Sequence, residues 1–187
     1  MAELGHLKVA ALVTDGVEEA ELTEPVKALR EAGADVELIG LDENPVQALR
    51  HIDKASRIPV DRSIDGLDVG DYDALLLPGG AVNADRMRAD DRVTGAIRQH
   101  DAKGKPIAAI CHAPWELISA GVVEGRKITS YHTIQDDVRN AGGHWVDEAC
   151  VVDGNWVTSR KPDDIPVFNE RMLELFGKSA RTGQESH

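Results

Sequence analysis

Cysteine is scarce in this chain: Cys111 and Cys150 are the two among 187 residues, too few for the disulfide framework of a small secreted domain. A reducing compartment is therefore expected, and the cytoplasm is the location it predicts. Residues 1–6, Met-Ala-Glu-Leu-Gly-His, carry neither the positive start nor the apolar run of an export signal. No apolar run approaches the ~20 residues that span a bilayer, so no membrane partner is expected. Basic residues are also in deficit, with 21 Lys and Arg against 33 Asp and Glu and a formal charge of −12. That balance lacks the basic face that phosphate contacts require, and no nucleic-acid partner is expected. Aromatic residues make up only 4%, so the 42% hydrophobic content must build an aliphatic core of the kind an α/β sheet buries. Internal repeats, low-complexity tracts and linkers are missing, which predicts one domain over 1–187, with a core at about 8–176 and a frayed polar tail at 178–187. His132 and His144 lack metal-ligand spacing with Cys111, and Gly79-Gly80 lacks the Lys-Ser/Thr of a phosphate loop. Neither a metal nor a cofactor is expected.

What is present alternates between strand and helix. Residues 8–13 read as a buried strand, 14–16 as a turn and 18–32 as a helix closed by Gly33, with Pro25 either in its opening turns or bending it. Residues 36–41 complete a βαβ unit, and 42–71 read as extended chain or a small hairpin layer. A strand at 72–77 ends in Pro78-Gly79-Gly80, where the backbone must turn sharply or approach something closely. Residues 83–103 hold one or two helices with Met87, Val93 and Ile97 inward. Strands are expected at 107–110, 128–131 and 145–147, and helices at 115–120 and 134–141. Asp153-Gly154-Asn155 turns a hairpin between 150–152 and 156–158, and 162–176 is a closing helix. The predicted class is α/β, a mostly parallel sheet with helices on both faces.

The chemistry centres on Cys111. It follows the apolar run Ile107-Ala108-Ala109-Ile110 and precedes Pro114, which suits a first helical position, so the thiol sits on a strand-to-helix turn. Helix-start N–H groups there would pull its pKa below the ~8.5 of a free cysteine, and the adjacent His112 offers a base or a cation. Both Cys111 and Gly79-Gly80 lie at carboxyl ends of strands, where open α/β sheets collect ligands. The plain alternative is that Cys111 is a small buried hydrophobe, and spacing alone divides the two readings about evenly.

Four ordered motifs carry a resemblance: Val17-Glu18-Glu19-Ala20-Glu21-Leu22, Leu76-Leu77-Pro78-Gly79-Gly80, Cys111-His112-Ala113-Pro114 and residues 152–160, Val-Asp-Gly-Asn-Trp-Val-Thr-Ser-Arg. Together, over about residues 8–176, they resemble the ThiJ/PfpI superfamily in its PfpI-type branch, whose members are described as intracellular proteases, deglycases or stress proteins. The resemblance implies a three-layer sandwich, flavodoxin-like or class I glutamine amidotransferase-like, and a homodimer or an assembly of dimers. It implies Cys111 as nucleophile, His112 as its neighbour, Glu21 as the acid bonded to sulfur, and the N–H groups of Gly80 and His112 as oxyanion donors. Asp85 matches an acid that reaches across a subunit interface to the histidine, although Ala84 stands where the family often has proline. Ala113 replaces a frequent glycine, which matters only if the turn needs positive φ there.

Each residue also has a plainer reading. Glu18 and Glu19 suit the helix dipole, Asp85 suits a solvated helix start, His112 suits an orienting or interface role, and Cys150 and the tryptophans suit packing. Glu21 differs if it is buried beside sulfur, because its pKa should then rise and keep it neutral near pH 7. The favoured expectation is a stress-response enzyme whose Cys111 thiolate, assisted by Glu21, attacks a small carbonyl substrate such as methylglyoxal, or the early adduct on a glycated protein, in a deglycase or glyoxalase III-like reaction. One alternative is a peptidase using Cys111, His112 and a partner's Asp85. Another is a redox sensor or a holdase chaperone that binds unfolded protein, with Cys111 oxidised under stress.

Overall fold

The computed structural model describes residues 3–184. In chain order the first half forms β1 (Lys8–Leu12), α1 (Glu19–Glu31), β2 (Asp35–Gly40), β3 (Val46–Arg50), β4 (Asp53–Ile58), β5 (Arg62–Ser63) and β6 (Ala74–Leu77). Helices α2 (Ala81–Arg88) and α3 (Asp91–Ala102) lead to β7 (Ile107–Ile110) and α4 (Pro114–Ser119). The remainder is β8 (Lys127–Ile128), α5 (Gln135–Asn140), β9 (His144–Trp145), β10 (Cys150–Asp153), β11 (Trp156–Ser159) and α6 (Ile165–Gln184).

Strands without a polar side need cover on both faces, and the chain supplies it. Seven strands pair in the order β10-β11-β7-β6-β1-β2-β5, all parallel except the β10/β11 hairpin. Alternate residues point to opposite cores. Val9, Ala11, Leu76, Ile110 and Val157 meet Leu22, Val26 and Leu29 of α1 and Phe168, Met172 and Phe176 of α6. Ala10, Leu12, Leu75, Leu77 and Ile107 meet Met87, Val93, Ile97, Leu117 and Val138 from α2, α3, α4 and α5. The result is the three-layer α/β sandwich expected from the sequence, with helices on both faces.

Several expectations need correction. The strand expected at 128–131 stops at Ile128, because the Thr129 N–H turns to Thr158 Oγ1 at 3.0 Å and the Tyr131 N–H to the Cys111 carbonyl at 2.8 Å. Among the described residues that strand pairs with β9 alone, which likewise ends at Trp145 rather than 147. The closing helix begins as a 3-10 turn at Pro162–Asp164 and continues to Gln184, so 178–184 is helical rather than frayed. Phe168, Met172 and Phe176 set the inward stripe, and Ala180 extends it onto the same core. Residues 185–187, the end of that expected tail, and Met1 and Ala2 of the start read as lacking an export signal, lie outside the described residues. No described helix is long and apolar enough to cross a membrane.

Candidate active site

The site grows from the end of β7. Cys111 directly follows the strand and holds φ at 65°, in the left-handed region that side-chain-bearing residues rarely enter. Its N–H donates to the Ser159 carbonyl at 3.0 Å and its carbonyl accepts from the Tyr131 N–H at 2.8 Å, so both neighbouring segments hold the turn. Pro114 opens α4 as expected, and Ala113 has an ordinary helical φ of −56°, so the turn needs no glycine at that position. The strain sits on the nucleophile candidate itself. From there Cys111 Sγ lies 3.1 Å from His112 Nδ1.

The end of β6 closes from the other side. Gly80 has φ 94°, and a Cβ there would run into the Gly16 carbonyl and lie 2.7 Å from the Glu18 nitrogen. A Cβ on Gly79 would collide with the Glu21 carboxyl and come within 2.7 Å of the Cys111 Cβ. Only glycine lets this backbone approach so closely. Its reward is geometric: the N–H groups of Gly80 and His112 both point at the Cys111 sulfur. Asn83 fastens the turn, accepting the Thr14 N–H at 2.9 Å and donating to the Pro78 and Gly79 carbonyls at 3.0 and 3.2 Å.

Glu21 enters from α1. Pro25 lies four residues on, inside the helix, and removes the N–H that would bond the Glu21 carbonyl. The Glu21 side chain is fully buried, and neither carboxylate oxygen makes a well-formed hydrogen bond. Loss of solvent first, and then the Glu18 carboxylate, push its pKa up to about 8, against weaker opposing contributions from the Cys111 thiol and the Gly79 N–H. It is therefore largely a neutral acid at pH 7, as expected for a glutamate buried beside sulfur. Cys111 reverses its expectation. Burial first, and then the Glu21 carboxylate, push the thiol up rather than down, and these outweigh the pull of the Gly80 and His112 N–H groups. The turn stabilises a thiolate only after the proton has left, so it needs an acceptor. His112 suits that task, because burial and the charge of His132 hold its pKa below the usual histidine value, and in its Nε2-protonated tautomer the Nδ1 that faces sulfur is the acceptor. Its ring stacks on Tyr131 at 4.8 Å and meets Trp115 edge-on at 5.2 Å.

These groups open into a cleft of about 760 Å³. Its wall opposite the elbow includes His51 and Ile52 at the tip of the β3/β4 hairpin, the small layer that the sequence left open between hairpin and extended chain. The Glu18 carboxylate accepts the His51 N–H at 3.1 Å and so ties that tip to α1. The structure thus brings together Cys111, His112, Glu21 and Gly80. Asp85 stands apart, exposed on α2, with no hydrogen bond or ion pair to His112 among the described residues. Sequence reasoning missed Asn83, whose position just after Gly79-Gly80 was its only signal, and gave Glu18 nothing beyond a helix-dipole role. It also passed over Glu116, fully buried in α4 with both carboxylate oxygens unpartnered and its pKa driven well above the usual range by burial.

Comparison with known proteins bears on the family and the fold. A profile of the DJ-1/PfpI family matches residues 7–175. Protein/nucleic acid deglycase 2 of Escherichia coli is 42% identical over 171 residues, covering 91% of this chain and 98% of that protein. General stress protein 18 of Bacillus subtilis is also 42% identical, over 172 residues, with 91% and 98% covered. Among solved structures, a two-domain protein of Anabaena variabilis with DJ-1/ThiJ/PfpI-like and ferritin-like domains superposes with a TM-score of 0.85 at 32% identity. That match covers 91% of this chain and 48% of the larger one, so this chain spans about half its length.

Proposed function

This chain belongs to the DJ-1/PfpI family, and from that premise we propose that it is a cysteine enzyme acting on reactive carbonyls, hydrolysing methylglyoxal-type aldehydes or their early adducts. The observation that carries the reading is a fully buried Glu21 carboxyl set against a strained Cys111 under two converging N–H donors. A free dicarbonyl gives the simplest sequence. The Cys111 thiol passes its proton to His112 Nδ1 as Sγ bonds the aldehyde carbon, and Glu21 protonates the carbonyl oxygen to give a hemithioacetal. The Glu21 carboxylate then removes the hydrogen from that carbon as a proton, a proton returns at the adjacent ketone carbon, and the hydroxyl proton passes to the former ketone oxygen, so that one carbon is oxidised as the other is reduced. The product is a thioester. Water cleaves it, releasing a lactate-type acid and the free thiol, so no external oxidant is required.

The peptidase alternative draws on the 3.1 Å Sγ–Nδ1 contact, which would also serve amide attack. In that chemistry Glu21 has no evident task, and Asp85 would have to come from a partner subunit. The deciding measurement is methylglyoxal consumption beside peptide cleavage by wild type, Cys111→Ser and Glu21→Gln. Loss of carbonyl turnover by at least ~100-fold in both variants is expected, in the range that general acid catalysis supplies. Peptide cleavage that survives Glu21→Gln, without carbonyl turnover by wild type, would move the reading to the peptidase.

A further inference from the structure

Glu18, Glu21 and Glu24 recur every three residues along the start of α1, and all three line the cleft that leads to Cys111. Glu21 is largely protonated at pH 7, so the charge of this stripe is that of Glu18 and Glu24. Other charges at the mouth are matched: Glu19 faces Arg50 at 3.9 Å and Asp163 faces Lys161 at 3.8 Å. No cation pairs with Glu18 or Glu24 among the described residues. Beneath them sits the fully buried carboxyl of Glu21, which borders the same cleft with no well-formed hydrogen bond to either oxygen among the described residues. The mouth therefore carries net negative charge, set in a protein whose overall formal charge is −12.

Size adds a second constraint. At about 760 Å³ the cleft lies within the ~300–1,000 Å³ of pockets that hold drug-sized ligands, and a three-carbon dicarbonyl fills only a small part of it. One wall carries Ile52, 91% exposed at the hairpin tip, an apolar surface that small, hydrated aldehydes do not need.

We propose that the cleft selects carbonyl adducts carried on a cationic, arginine- or lysine-bearing polypeptide segment over adducts on phosphate-bearing nucleotides. The name of the E. coli relative couples the two carriers, protein and nucleic acid. In this chain the Glu18 and Glu24 carboxylates attract the first and repel the second, and Ile52 packs on the segment's apolar stems. The adduct part of this selection rests on the carbonyl reading above, so the test separates the two.

Cys111 serves as its own reporter. Cationic and anionic methanethiosulfonates of matched size would be timed on the wild-type protein at low salt, with each rate divided by that on a free small thiol and Cys111 labelling confirmed by mass. A cationic preference of about tenfold is expected, within the range of electrostatic focusing, shrinking at high salt and falling several-fold in Glu24→Lys. In parallel, methylglyoxal-treated arginine peptide and methylglyoxal-treated guanosine monophosphate would be compared as substrates. The peptide should lead by at least tenfold in kcat/KM, chiefly through KM, and Ile52→Ala should raise its KM. A labelling ratio equal to that of the free thiol, or a nucleotide adduct processed as well as the peptide, would overturn the selection. No turnover of either adduct alongside a clear cationic labelling preference would overturn the carbonyl reading and leave the charge selection of the cleft standing.

Discussion

Glu21 shows how one residue can link catalysis and stability through the same proton. Its folded pKa of about 8 lies above the ordinary value of 4.5, so the folded state holds a proton that the unfolded chain releases. The stability tied to that proton is full below pH 4.5 and is lost as pH rises through 8. Glu21→Gln should therefore flatten the fall in stability between those limits, leaving the variant more stable than wild type by roughly a few kcal/mol at pH 9 in denaturant titrations. Activity carries the same signature. Carbonyl turnover should decline on the alkaline side with a midpoint near pH 8 as the acid ionises, and on the acid side as His112 gains a proton and Nδ1 no longer accepts. A stopped-time assay across pH 5 to 10 reads both limbs, and an alkaline limb unmoved near pH 8 would remove Glu21 from the reaction.

At the scale of elements, two helices invite opposite tests. In α2, Asn83 joins the Thr14 N–H to the Pro78 and Gly79 carbonyls and so sets the turn that aims the Gly80 N–H. Asn83→Ala should cost about 2–4 kcal/mol, because it orphans a buried N–H and frees two carbonyls. It should also lower kcat more than it raises KM, which steady-state kinetics at a permissive temperature would show. In α4, Glu116 presents a fully buried carboxyl with no partner on either oxygen among the described residues. Replacing it by an apolar residue of similar volume removes a desolvated polar group, so Glu116→Leu should stabilise by about 1–3 kcal/mol in urea unfolding at neutral pH. A loss of that size instead would mean that the carboxyl holds a structural bond in solution.

Two cores cover the faces of the seven-stranded sheet, and the cleft sits where β6 and β7 end, between the β3/β4 hairpin and the turn that leads into α6, a place that single elements could not build. Asp85 belongs to this scale because it is exposed on α2, outside the contacts of its own Cys111 and His112. If a second copy brings its Asp85 to the cleft, Asp85→Ala and Cys111→Ser proteins, each weak alone, should recover up to about a quarter of wild-type turnover when mixed and reassembled, since half of the dimers are hybrids with one complete site each. Recovery would be read against each variant incubated alone, and no recovery would confine the reaction to groups within one chain.

By itself the sequence determined the α/β class, the two glycine-marked strand ends and the elbow at Cys111, because each is a local pattern: short aliphatic runs, glycines where the chain must turn closely, and a proline that opens a helix. The family resemblance of its motifs, rather than any local pattern, singled out Glu21, and with it the condition under which its pKa would rise. Only the tertiary structure decided that this condition holds, because burial depends on residues far along the chain. The same holds for the Sγ–Nδ1 contact and for the upward shift of the thiol, which local helix-start reasoning had placed in the other direction. The extent of α6 and the early end of β8 followed from distant partners too, the core beneath Ala180 and the Thr158 and Cys111 acceptors. A local signal says which backbone shape is cheap; the solvent, charges and hydrogen bonds that surround a side chain are supplied by the rest of the fold.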